Sequence, residues 1–177
     1  MEFQTAISTS QSLLAKIEAD QLSATEILAA IRELVKTENG ARGFFVTYLT
    51  SDRPFADHPT PEIIQGLTSH PEIVAPLLVK NLAMSTAMIL THQRNHNQEM
   101  AKSSAQVRQR TANLITMMQL PIMFTLCQQM LTNIYTNTGK YQEFFTRWGY
   151  DDQQKKLIAD TLIEISAKIS TEYIINS

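Results

Sequence analysis

Residues 41–50, Ala-Arg-Gly-Phe-Phe-Val-Thr-Tyr-Leu-Thr, decide the fold class. By composition the stretch is a strand, since aromatic and β-branched side chains suit a pleated, half-buried surface. A strand needs partners, and no second convincing strand stands elsewhere in the chain. Phe44, Phe45, Tyr48 and Leu49 also fit the i, i+1, i+4, i+5 spacing of one helix face. The stretch is therefore read as helix.

Working outward, the flanking segments repeat the helical pattern. Phe3, Ile7, Ser10, Leu14 and Ile17 are spaced 4-3-4-3, an amphipathic stripe that ends at Asp20-Gln21. Ser23 and Glu26 form a capping box ahead of Ile27, Ile31, Leu34 and Val35. Asn39-Gly40 is expected to stop that helix with a left-handed residue. Residues 51–60 are a loop. Pro61-Glu62 and Pro71-Glu72 each start a helix, because proline in a first turn loses no hydrogen bond and glutamate complements the dipole.

The helix from residue 71 is apolar nearly all round as far as Leu90, with Pro76 either kinking it or marking a second start. Pro76, Lys80 and Asn81 interrupt its most apolar window, which reads as a core helix rather than a membrane span. Residues 91–113 then turn polar without a glycine or proline. They form either a helical hairpin turning near Lys102-Ser103-Ser104 or one continuous helix of about 40 residues, on the order of 60 Å long. Pro121 divides the next apolar stretch, and Asn137-Thr138-Gly139 closes the helix after it. A short aromatic helix over 140–148 ends at Gly149. Asp151-Asp152 caps a last helix with the stripe Ile158, Leu162, Ile165, Ile169 and Tyr173. The expectation is an all-α, single-domain irregular bundle of seven to nine helices over residues 1–177, with a long polar extension or hairpin.

Composition narrows the function classes. Charged residues make up only 18% of the chain, which lowers electrostatic repulsion against self-association. The net charge of −2 gives no overall pull toward nucleic acid or anionic membrane. One cysteine, Cys127, cannot form an internal disulfide, and the first residues lack the pattern of a secretory signal, so a cytoplasmic location is expected. No nucleophile motif, glycine-rich phosphate loop or paired-cysteine site is present.

Charge is segregated. Between Glu72 and Glu143 stand six bases and one acid, Glu99, against 16 acids and 9 bases elsewhere. On a continuous helix, His92, His96 and Glu99 share one face, a spacing that lets two imidazoles and a carboxylate approach one divalent metal ion. His58 or His70 would supply a third nitrogen. The plainer reading is a polar helix end whose imidazoles hydrogen-bond to a neighbouring helix. Arg94, Lys102, Arg108 and Arg110 make a basic tip, but aromatic stacking residues are missing there, so a protein partner fits better than nucleic acid.

Six of the 13 aromatic residues fall in 135–150. Tyr141, Phe144, Phe145 and Trp148 beside Arg147 are the residue types of an interface hot spot, or else the anchors that fix a short helix to the bundle. The expected function is a non-enzymatic, self-associating protein-interaction or regulatory module with Arg94, Arg108, Arg110, Tyr141, Phe144, Phe145 and Trp148 at its interface and no cofactor. The alternative is a bundle holding a metal or small ligand at His92, His96 and Glu99, with hydrolase chemistry.

Overall fold

The computed structural model of the chain describes residues 1–169. Among them are nine α-helices, one 3-10 turn and no strand. The helices are α1 (Phe3–Glu18), α2 (Ala24–Val35), α3 (Glu38–Leu49), α4 (Pro61–Leu67), α5 (Pro71–Arg94), α6 (Gln98–Met118), α7 (Pro121–Thr136), α8 (Gln142–Trp148) and α9 (Asp152–Ser166); the 3-10 turn is Pro54–Asp57. The chain is an all-α helical bundle. It divides into two compact units, Met1–Leu77 and Leu78 onward. Tyr173, the last residue of the expected final stripe, lies outside the described residues.

In the first unit α1 packs on α3 and α2 on α3 and α4. The ambiguous stretch is helix α3. Phe44, Phe45, Tyr48 and Leu49 are all buried, Phe44 stacks on Tyr48 with centroids 5.4 Å apart, and the Tyr48 hydroxyl donates to the Ala56 carbonyl at 3.1 Å. Gly43 lets α1 and α3 approach closely, since a Cβ there would lie 2.4 Å from the Ala6 Cβ. The Ser23–Glu26 capping box is formed. Asn39-Gly40, however, does not end α2. That helix stops at Val35, the Thr37 hydroxyl caps α3 by accepting from the Gly40 amide at 3.1 Å, and Asn39 and Gly40 fill the first turn of α3. A Cβ on Gly40 would lie 1.9 Å from the Leu34 carbonyl oxygen, so the glycine serves a tight inter-helix turn instead.

Helix α5 carries Pro76 within its run and continues through it. Its length and composition are those of a membrane span, with mean hydropathy 1.7, and half of that window is buried, as the core helix of a soluble protein also is. Neither expected form of residues 91–113 is the observed one. The helix stops at Arg94 and a new one starts at Gln98, so the turn falls several residues before Lys102. His96 takes a left-handed conformation (φ 55°). The Asn97 amide bonds back to the His92 carbonyl at 2.9 Å, and the Asn97 side chain caps α6 at the Met100 amide, 3.1 Å. Asn and His tolerate this geometry better than bulky or β-branched residues, which is why a turn forms without glycine.

In the second unit α7 and α6 pack on α9. Gln119 (φ 50°) and Pro121 separate α6 from α7, Asn137 (φ 56°) closes α7, and Gly149 (φ 61°) closes α8. Ile158, Leu162, Ile165 and Ile169 are buried, as the spacing required.

Candidate functional site

Helix α8 is seven residues long and would not persist alone, because short isolated helices do not repay their nucleation cost. Its neighbours hold it in place. Asn133, buried on α7, accepts from the Tyr141 amide at 2.9 Å through Oδ1 and donates through Nδ2 to Gln142 Oε1 at 3.2 Å. Phe144 makes edge-to-face contacts with Tyr141, Phe145 and Tyr150, at 6.2, 5.3 and 6.1 Å between centroids. Lys155 of α9 lies 5.7 Å above the Phe145 ring. Burial pushes the Tyr150 phenol up to about 12, and burial followed by the nearby Cys127 does the same to Tyr141.

One face of α8 is thus closed, and the aromatic cluster divides by face. Tyr141 and Phe145 are core residues and Phe144 is half-buried. Tyr141 and Phe145 are accordingly corrected from interface residues to anchors. Trp148 remains 46% exposed, with the Arg147 guanidinium 5.6 Å from its ring centroid. Glu143 and Arg147 are exposed beside it. The anchoring reading of the cluster holds for Tyr141 and Phe145, while Trp148 stays exposed.

The basic residues divide as well. Arg94 is engaged: Nη1 lies 2.6 Å from Asp151 Oδ2 and Nη2 donates to Gln153 Oε1 at 2.6 Å. The hydrogen bond from Arg94, and the one from the Gln154 amide after it, hold the Asp151 carboxyl below its usual range. Gln154 completes a capping box with Asp151 and donates through Nε2 to Thr91 Oγ1 (3.0 Å) and the Ala87 carbonyl (3.3 Å), pinning α9 to α5. Arg108 lines a groove of about 250 Å³ between α6 and α9, with Asn113, Met117, Glu164 and Lys168 among its walls. Arg110 is not a surface residue. It is 1% exposed and engaged within the protein, because two residues along a helix is a turn of 200° and the Arg110-Thr111-Leu114-Met118 side of α6 faces inward.

The histidine face does not survive the turn. His92 ends α5, His96 occupies the left-handed turn position and Glu99 begins α6, so the 100° per residue that aligned them no longer applies. Among the described residues no three His, Cys, Asp or Glu side chains are grouped to hold a metal ion. His70 instead meets Glu72 at 3.3 Å in the first unit, and His58 is exposed. Sequence reasoning missed Asn133 and Gln154, the two buried amides that position α8 and α9. Only the spacing of Gln154 from Asp151, three residues on, signalled its part in the cap.

The fold and these contacts define an all-helical protein with an exposed aromatic–arginine pair on an anchored short helix. A family model matches residues 2–165, and the chain belongs to that family, described as Uncharacterised conserved protein UCP020893. No curated protein and no solved structure matches the chain.

Proposed function

We propose that the protein is a non-enzymatic helical interaction module, acting by association rather than catalysis, and that its first partner is a second copy of itself, bound through the outer face of α8. The observation that carries this reading is the exposed Trp148 with Arg147 over its ring, on a short helix whose inner face is fully anchored. Tryptophan and arginine dominate binding hot spots, and side chains already held in place lose little freedom on binding. The face is also self-complementary in charge. Glu143 and Arg147 stand one helical turn apart, so two antiparallel copies of α8 about a two-fold axis set each glutamate against the partner's arginine. Low overall charge favours the same outcome.

Light scattering at micromolar concentration tests the proposal. The expected species is a dimer of the 20.0 kDa chain, and Trp148→Ala is expected to yield monomer with an unchanged far-UV spectrum. A wild-type monomer, or a Trp148→Ala dimer as stable as the wild type, would overturn it.

A further inference from the structure

Helices α6 and α9 each turn one stripe of side chains toward the groove of about 250 Å³ between them. Arg108, Ala112 and Thr116 follow one another at four-residue spacing on α6, and Thr161 and Ile165 do so on α9, with Lys168 just beyond its end. That spacing keeps each set on a single helix face. Gln119 Nε2 donates to the Lys168 carbonyl at 2.8 Å, which ties the C-terminal ends of the two helices together. Lys168 therefore stands at that end of the groove, and Arg108 lies about 15 Å back along α6 at 1.5 Å per residue.

The polar groups of this groove are unevenly used. The Lys168 ammonium has a partner one turn away, Glu164, at 3.5 Å. Half-buried Arg108 makes no ion pair and no hydrogen bond among the described residues. Thr47, Thr86, Thr111 and Thr132 return their hydroxyls to the carbonyl four residues back. Thr116 and Thr161, one on each wall, do not, and neither hydroxyl has another partner among the described residues. Ala112 and Ile165 supply an apolar floor. The groove thus offers one uncompensated guanidinium, two free hydroxyls and a short apolar track, the mixture that orients a small ligand. Its size limits the occupant: a cavity of about 150 Å³ takes benzene, so this one has room for about ten non-hydrogen atoms. Arg108, Lys168 and Glu164 leave it a single net positive charge, which calls for one negative charge, and a carboxylate matches the guanidinium fork in a two-point contact. We propose that the groove is a binding site for a small aliphatic monocarboxylate, with its carboxylate on Arg108, its chain along Ala112 and Ile165, and the Thr116 and Thr161 hydroxyls flanking it. The site belongs to α6 and α9 and stands independently of what binds to the outer face of α8.

Titration of the whole chain with hexanoate, followed by two-dimensional amide NMR, tests it. The expected result is a set of saturable shifts around Arg108, Ala112, Thr161 and Ile165, with a millimolar Kd. Hexan-1-ol and hexylamine should bind roughly tenfold more weakly or worse, because neither sets a negative charge on the guanidinium. Arg108→Gln should weaken hexanoate by roughly tenfold or more. Ala112→Leu, which fills the floor without changing charge, should weaken it as well. The absence of saturable shifts at these positions, equal affinity for the alcohol, or an affinity that Arg108→Gln leaves untouched would overturn the site. Inorganic phosphate giving the same shifts with the same affinity would reduce the groove to a general anion patch, and would overturn it too. Should either variant fail to fold, the comparison of hexanoate with the alcohol and the amine on the wild-type protein decides the matter.

Discussion

The guanidinium carbon of Arg147 lies 5.6 Å from the centre of the Trp148 ring, at the exposed end of a helix whose other side is closed by Tyr141 and Phe145. A cation over an aromatic face is held by the ring quadrupole, so the pair presents a preformed flat surface. Charge reversal examines how it is used. Glu143→Arg or Arg147→Glu alone should weaken dimerisation at least tenfold, since each sets like charges across the two-fold axis. The double variant Glu143→Arg/Arg147→Glu should restore it, because the symmetric pairing is rebuilt with signs exchanged. Sedimentation equilibrium reads all three, and failure of the double variant to recover would refute the antiparallel arrangement.

A buried amide, Gln154, pins the first turn of α9 to α5. Gln154→Ala removes two donated hydrogen bonds and half of a capping box, and leaves the Ala87 carbonyl without that donor; the expected cost is about 1–3 kcal/mol. Gln154→Glu keeps a capping oxygen for the Asp151 amide but replaces the Nε2 donor with an acceptor facing the Ala87 carbonyl, so it should be no better than alanine. Urea unfolding of both variants measures this, and a loss within error of zero would show that the pin carries no stability.

Close approach of α1 and α3 depends on Gly43. Gly43→Ala would gain about 1 kcal/mol of helix propensity, but its new Cβ meets the Ala6 Cβ at 2.4 Å, and overpacking costs typically about 1–3 kcal/mol. Net destabilisation is expected, and Ala6→Gly in the same chain should recover part of it by reopening the contact. Thermal melts of the single and double variants test whether the two positions are coupled.

The helical fold was legible because its signals are local. Phe44 and Tyr48 one turn apart, Ser23 before Glu26, Pro121 and Asp151 act over at most four residues, and tertiary packing agreed with each. Asn39-Gly40 misled because the same dipeptide serves as a helix stop or as a first turn, and the choice rested on Thr37 capping α3. The end of α5 was hidden because Asn95, His96 and Asn97 interrupt a helix only weakly compared with glycine or proline. Which aromatic of the α8 cluster faces water, and that Arg110 faces inward, depend on how α7 and α9 lie against their neighbours, and spacing along one helix does not carry that.

Acid should act on Asp151. Its carboxyl is held below the usual range in the fold, first by the hydrogen bond from Arg94 and then by the Gln154 amide. A depressed folded pKa contributes stability in full above the unfolded value near 4, and that contribution is lost as pH falls through the lower folded value. Asp151→Asn retains a capping acceptor while removing the charge. Between about pH 5 and pH 2.5 the wild type should therefore lose more melting temperature than Asp151→Asn. Parallel pH profiles for the two proteins would contradict the assignment.

The turn at His96 bears on the metal alternative. With His92, His96 and Glu99 divided among a helix end, a left-handed turn and a new helix, the wild-type melting curve at neutral pH should be unchanged by zinc, manganese or chelator. His96→Gly should be neutral or slightly stabilising, because glycine adopts the positive φ without strain. A zinc-dependent rise in melting temperature that His92→Ala/His96→Ala abolishes would revive the metal site.

Trp148 is the only tryptophan in the chain, so its fluorescence reports directly on the face proposed to dimerise. In the free chain it is 46% exposed and open to a quencher such as acrylamide. Quenching measured from nanomolar to tens of micromolar protein is the most direct measurement. Association through α8 should lower the quenching constant and shift the emission to the blue over the same concentration range in which the mass doubles. A quenching constant and emission maximum that stay constant across that range would contradict the central claim.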